Sequence, residues 1–279
     1  LPPFKYNAGH IVSELGSRSS LAVAKDKKQI RVVTLKKVYR ASRLLIDHYS
    51  TVFYKGALDS DIPTSGISPL AHLEKVIKKN IGKRCIFWKV MNGINTNAYK
   101  STSKKNYQEA NAVQFVLMKL IDSKTVSVND VMIIALYEDQ RKYVAAKLKE
   151  RCEEREIKER FEVLTVDSAQ GREKRIVFVL TTRSEISRNE DIRKPTSEIE
   201  ENSEEIDGQA GGIDPEEKAV DFFSSPYRCN VAVSRHQEAL IVFGHPNITN
   251  SEYWGKVLDQ KYFYHHEDNS SPTSFTNYN

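Results

Sequence analysis

Asp167-Ser168-Ala169-Gln170-Gly171-Arg172-Glu173 packs two carboxylates, a hydroxyl, a carboxamide and a guanidinium into seven positions. That is denser polar chemistry than a connector needs, and Gly171 lets backbone come close to a ligand. The chemistry suits a highly charged ligand; the competing reading is a capped, solvated loop. Other site chemistry is missing from the sequence. There is no G-x-x-x-x-G-K-[ST] and no acidic D-E-[AC] run after a strand, so the phosphate-cradling loop and magnesium ligand of phosphoryl transfer are absent. Cys85, Cys152 and Cys229 form no C-x-x-C, and no H-E-x-x-H occurs, so neither a zinc site nor a disulfide framework is indicated and no metal ligand is assigned. The seven histidines are scattered and read as surface or core packing.

Short β-branched runs at 163–166 and 176–180 flank the polar turn and read as buried parallel strands that hold it rigid. Earlier in the chain, 4–34 shows little periodicity, with a strand expected at 30–35. A helix is expected over 43–54, with Leu45, Tyr49, Val52 and Phe53 on one face and Gly56 ending it. Residues 59–68 read as a loop, 86–90 as a strand and the Asn- and Lys-rich 92–105 as a loop. Asn106 and Glu109 suggest a capping box for a helix whose stripe is Val113, Val116, Leu117, Leu120 and Ile121. A strand at 131–136 and a helix from Glu138 to about Arg151 follow. Then come a strand at 239–243, a short helix at 251–258 packing Tyr253 and Trp254, and a frayed tail from His265. Alternation of strand and helix from residue 86 onward predicts an α/β fold, a parallel sheet with helices on both faces.

The 279 residues suffice for one good core, and 39% hydrophobic content describes a globular chain with no apolar run of membrane-span length. Net charge is +5, unevenly placed: residues 184–217 hold twelve acidic against three basic residues, a balance of −9 that leaves +14 on the remainder. Such a basic body attracts polyanions. The acidic stretch, with Gly208, Gly211, Gly212 and Pro215, reads as a flexible insertion at about 185–217, either an exposed loop or an acidic competitor of nucleic acid. Sparse cysteine suits a reducing compartment, cytoplasmic or nuclear.

Five segments in order resemble superfamily 1 helicases, in the branch that includes the nonsense-mediated-decay RNA helicase and its DNA- and RNA-acting relatives. Leu1-Pro2-Pro3 is similar to the end of motif III. Tyr39-Arg40 followed by Phe53-Tyr54-Lys55-Gly56-Ala57-Leu58 resembles Q-Y-R-M-H-P and F-Y-x-G-x-L. Val131 to Tyr143 resembles motif IV, the polar turn and its second strand motif V, and Pro226 to Arg235 motif VI. The ordered set, over roughly residues 1–248, is far more specific than any one match. It implies a RecA-like, P-loop NTPase-type second motor domain without Walker A and B. The expected division is a linker at 1–60, the RecA-like domain at 61–248 and a C-terminal helix and tail at 249–279. Because the family places the P-loop and magnesium ligands upstream of motif III, the simplest account is a fragment.

The resemblance implies roles. Arg40 and Arg235 stand where the family places two phosphate-contacting arginines, and a guanidinium stabilises developing phosphoryl charge better than an ammonium. Tyr39 would stack on the base, Glu173 accept from ribose hydroxyls, and Gly171 approach phosphate with its backbone. Ser168 and Gln170 are nucleic-acid candidates. Tyr137 and Gln140 either bind, to nucleic acid and nucleotide respectively, or pack the domain edge. Arg235 is expected to project from a helical start. ATP and Mg2+ are the implied cofactors, with the Mg2+ ligands in the missing first domain. Single-stranded RNA or DNA and the N-terminal RecA-like domain are the implied partners. Departures from the family pattern include Val38, Ala41-Ser42-Arg43, Ala135-Leu136, Ala169, Ser234 and His236-Gln237. Two functions follow: part of an ATP-dependent helicase or translocase, inactive alone, or a non-catalytic nucleic-acid or protein binding module derived from one.

Overall fold

Six strands, five of them carrying apolar and β-branched runs, lie side by side in the computed structural model, which describes residues 24, 33–64, 66–97, 103–184 and 222–268. They are β1 (Cys85–Val90), β4 (Val131–Ala135), β5 (Glu162–Thr165), β6 (Lys174–Leu180), β7 (His236–Gly244) and β8 (Tyr264–Asp268). Their order is β5-β4-β6-β7-β1-β8, every pairing parallel. The central strands are apolar almost throughout, as strands covered on both faces must be.

Alternate strand residues feed two cores. On one face Phe87, Met132, Ile134, Val177, Val179, Leu240 and Val242 pack against α1 (Arg43–Tyr54), α5 (Pro226–Val233) and α6 (Glu252–Val257). On the other, Ile86, Trp88, Ile133, Phe178 and Ile241 meet α2 (Ala71–Ile77), α3 (Tyr107–Asp122) and α4 (Glu138–Glu154). Each such side chain, fully withdrawn from water, contributes about 1.5–3 kcal/mol. The expected α/β, RecA-like parallel sheet with helices on both faces is therefore present. Ala41, Leu45, Ile46, Tyr49 and Leu58 are buried in the first core, so the stretch from 41 to 58, expected within the linker, packs on the sheet.

α1 has the bounds expected and ends where Lys55 (φ 53°) and Gly56 (φ 72°) turn left-handed, letting the Gly56 N–H donate to the Ser50 carbonyl at 2.9 Å. Three expectations are corrected. The loop at 92–105 contains a two-stranded antiparallel hairpin, β2 (Asn95–Asn97) with β3 (Lys104–Asn106), whose polarity reflects its place at the rim of the sheet. The Asn106 cap is half a capping box: its side chain accepts from Glu109 N–H at 3.1 Å, but the Glu109 carboxylate turns inward. The tail expected to fray includes β8, where Ile86 to Val90 of β1 pair with Tyr264 to Asp268. Trp88 Nε1 there donates to Asp268 Oδ2 at 2.9 Å, so a polar pentapeptide is held by ladder bonds and a buried indole. The motif III residues, residues 30–32 of the strand expected at 30–35, the acidic stretch and residues 269–279 lie outside the described residues, and the described part of that expected strand, 33–35, forms no strand.

Candidate functional site

Because all six strands run the same way, whatever precedes β6 and β7 emerges at one edge of the sheet. Glu173 immediately precedes β6, and Ser234-Arg235 immediately precede β7. The Lys174 N–H donates to the Arg235 carbonyl at 3.1 Å, fixing the starts of these strands side by side. The third contribution is the stretch before α1. It is tied down by Val38 N–H to the Asp59 carbonyl at 2.8 Å and Asp59 N–H to the Lys36 carbonyl at 2.9 Å. Arg43 adds bonds to Asp47 (2.7 Å) and Asp59 (2.9 Å), the first cause of the lowered Asp59 pKa.

These segments enclose an open cleft of about 470 Å³ whose lining includes Tyr39, Arg40, Tyr54, Glu173, Ser234 and Arg235. Arg40 Nε donates to Glu173 Oε2 at 2.5 Å and Arg40 Nη1 to the Ser234 carbonyl at 2.5 Å. Arg235 Nη2 donates to Ser234 Oγ at 2.7 Å. Ser234, buried, is thus the hinge point of both guanidinium groups. Gln237 Nε2 donates to Glu173 Oε1 at 3.1 Å, and Arg40, then Gln237, hold the Glu173 carboxyl below its usual range. Burial, then the nearby Arg40 charge, lowers the pKa of Arg235. Its Nε is buried without a hydrogen-bond partner. A desolvated guanidinium with one unused N–H thus lies beside a second guanidinium. The Tyr39 side chain stands 82% exposed at the mouth, its face open to stacking.

Tyr39, Arg40, Glu173 and Arg235 are therefore brought together, and the other expected site residues are not among the residues lining this cleft. Gly171 has φ +81°, which accounts for glycine in the turn, and a Cβ there would meet nothing within 4 Å. Ser168 is exposed, its hydroxyl accepting from Thr165 Oγ1 at 3.0 Å, and Gln170 is exposed on the same turn. Of the two alternatives for Gln140, binding or packing, its surroundings fit packing. It is fully buried, accepts from the Asn106 N–H at 2.7 Å and donates to the Asn106 carbonyl at 3.1 Å, so both ends of its carboxamide are engaged by the backbone of one residue. Tyr137 is buried against Phe222, its hydroxyl accepting from Arg183 Nε at 3.2 Å. Arg235 does not project from a helix start; it lies past the end of α5, which Pro226 initiates and Ser234 caps. Sequence reasoning named Ser234 and Gln237 only as departures from a pattern; nothing in their residue type signals a bridging role.

Glu162 anchors the turn beside Glu173, and Asp167 anchors its other end. Arg172 donates to Glu162 at 2.5 Å, and Asp167 takes Arg228 of α5 in a two-pronged pair at 3.1 and 3.3 Å. The Arg228 guanidinium also lies 4.0 Å from the Phe222 ring centroid. Cys85, Cys152 and Cys229 are all free and buried. Among the described residues, no group of three or more His, Cys, Asp or Glu is placed to hold a metal ion, and no helix is long and apolar enough to cross a membrane.

A family model described as an AAA domain, AAA_12, matches residues 17–247. The chain belongs to that family. An uncharacterised ATP-dependent helicase of Caenorhabditis elegans is 24% identical over 262 residues, 89% of this chain and 14% of the relative. Regulator of nonsense transcripts 1 homologues of Neurospora crassa and Arabidopsis thaliana are 25% and 24% identical, over 88% and 82% of this chain and 20% and 16% of theirs. This AAA_12 chain thus spans a fifth or less of the length of these curated relatives. The crystal structure of the C-terminal domain of a possible DNA helicase from Lactobacillus plantarum overlays with a TM-score of 0.42 at 11% identity, covering 82% of this chain and 99% of that one.

Proposed function

We propose that this AAA_12 domain is the second RecA-like motor domain of an ATP-dependent RNA or DNA helicase or translocase, in which it supplies two arginines to a triphosphate and part of the grip on a single strand. The observation that supports this most is the meeting of Arg40 and Arg235 over Ser234, beside Glu173 and under an exposed Tyr39. Two adjacent guanidinium groups, one with a buried unpartnered Nε, fit the oxygens of a phosphoryl group. ATP with Mg2+ supplies the phosphoryl chemistry when bound. Arg40 and Arg235 would hold the phosphates, Tyr39 the base, and Glu173 the ribose once its carboxylate is shared with or released by Arg40. The Mg2+ ligands and P-loop belong to a preceding RecA-like domain in the same protein or a partner chain. A cytoplasmic or nuclear setting agrees with three unpaired buried thiols.

The test is an ATPase assay of the full-length protein, with single-stranded RNA and single-stranded DNA compared as activators. Arg235→Ala is expected to lower turnover by roughly a thousandfold or more, as loss of a phosphate-facing arginine does, and to leave nucleic-acid affinity nearly intact. Undiminished turnover in Arg235→Ala would sink the assignment of that arginine, and absence of turnover in the full-length parent would favour a non-catalytic binding module. The 279-residue chain alone is expected to hydrolyse no ATP.

A further inference from the structure

The segments leading into α1 and β7 carry the two arginines, and between these elements sits a buried pair of imidazoles. His48, in the middle of α1, places Nε2 3.2 Å from the carbonyl of Val233, the last residue of α5. His236, the first residue of β7, places Nε2 3.1 Å from the carbonyl of Leu45, in the first turns of α1. α1 thus bonds to the last carbonyl of α5, and the start of β7 bonds to the backbone of α1. The rings stack at 5.5 Å and 21°, and both residues are fully buried. Tyr49 and Phe263 close the His48 ring edge-on, and Tyr262 is tilted against it. A carbonyl can only accept, so each Nε2 carries the hydrogen; the neutral ring then leaves Nδ1 bare, and both Nδ1 atoms indeed lack a partner.

We propose that His48 and His236 are positioning residues, a reciprocal clamp that fixes α1 against the α5–β7 junction and so sets the separation of Arg40 from Arg235. Apolar packing holds α1 on the sheet, but it is non-directional and leaves sliding and rotation soft. Two crossed N–H to carbonyl bonds remove that freedom, and one of them serves a carbonyl at a helix end, where no intrahelical donor is available. Leucine or phenylalanine would fill the space without leaving a bare Nδ1 in the core; the hydrogen bonds are what the histidines add. Arg40 lies three residues before α1 and Arg235 immediately before His236, so an error in the clamp passes to the guanidinium groups.

The proposal rests on the reading of Arg40 and Arg235 as phosphate-facing groups, and the test separates the two. In imidazole 15N spectra of the 279-residue chain at neutral pH, both rings should be the neutral Nε2–H tautomer; an Nδ1–H tautomer at either position overturns the clamp. His48→Phe and His236→Phe keep a ring and lose the donor, and each should speed solvent exchange of the Arg40 Nε–H about tenfold. Gln at either position restores a neutral N–H and should hold that exchange within about twofold of the parent. Unchanged exchange in the folded Phe variants, or full loss of protection in folded Gln variants, overturns the proposal. If the Phe variants do not fold, the Gln variants and the tautomer measurement decide. In the full-length protein, Phe at either position should lower kcat for ATP with KM little changed. Normal kcat alongside lost Arg40 protection would leave the clamp standing and remove the phosphate role of Arg40.

Discussion

Arg40 shows how one side chain can gather distant chain segments: its guanidinium bonds to Glu173, 133 positions away, and to the Ser234 carbonyl, 194 positions away. Glu173 is thereby less available than a ribose acceptor would be, and Glu173→Gln should loosen Arg40. Weaker Arg40 Nε–H protection in that variant, with the fold unchanged by circular dichroism, is the expected result. Titration gives a second prediction at this scale. Burial lowers the pKa of His48 to about 4 and of His236 to about 3, against about 6.5 in an unfolded chain. The preference for neutral rings therefore stabilises the fold fully above about pH 6.5 and is lost as pH falls toward the folded values. Fully buried Glu109 has the opposite sign, since burial raises its pKa to about 8. Its contribution is full below about 4.5 and is lost as pH rises toward 8. Urea denaturation across this range should thus favour the His48→Gln/His236→Gln double variant over the parent increasingly with acid, and Glu109→Gln increasingly with base. That Tyr39, Arg40, Glu173 and Arg235 would share one cleft was legible from motif order; the imidazole pair was not, since histidine in a core has no sequence pattern of its own.

Among the elements, the longer helices were read closely because their apolar stripes recur at helical spacing: α1 has its expected bounds, and α4 runs one turn beyond its expected end, whereas the seven-residue α2 and eight-residue α5 were not read. The rim of the sheet was harder. β3, α3 and the end of β6 are locked by polar groups that look solvent-bound in sequence. Asn106 Nδ2 donates to the Thr182 carbonyl at 3.4 Å, and both Glu109 carboxylate oxygens accept from the Thr182 N–H at 2.9 Å. Thr182 has φ +69°, a conformation that a β-branched residue keeps only when its surroundings impose it. Glu109→Ala would leave that N–H unsatisfied in the core and should cost about 1–3 kcal/mol in urea denaturation. β8 escaped notice because Tyr264-His265-His266-Glu267-Asp268 has the polarity of a tail, and its order comes from β1. Asp268→Ala strands the Trp88 indole N–H and is expected to lower stability by about 1–3 kcal/mol, read from the urea midpoint.

For the whole molecule, the strand–helix alternation from residue 86 made the parallel sheet legible, while the strand order was not, since residues far apart in sequence set it. The uneven charge makes a prediction that depends on no single residue. Binding of the chain to single-stranded nucleic acid, followed by fluorescence anisotropy, should weaken linearly in log K against log salt, by about 0.7 per phosphate contact. Affinity independent of salt would contradict a phosphate-gripping surface. The sheet order has a further consequence, for biosynthesis. β1, with the sequence Cys-Ile-Phe-Trp-Lys-Val, sits between β7 and β8, the last two strands in sequence among the described residues. On the ribosome it emerges before either neighbour is translated, so an apolar, β-prone segment waits with both edges bare. Nascent chains arrested before residue 236 should therefore be the ones that recruit chaperones or aggregate, and release of the last strands should end that exposure.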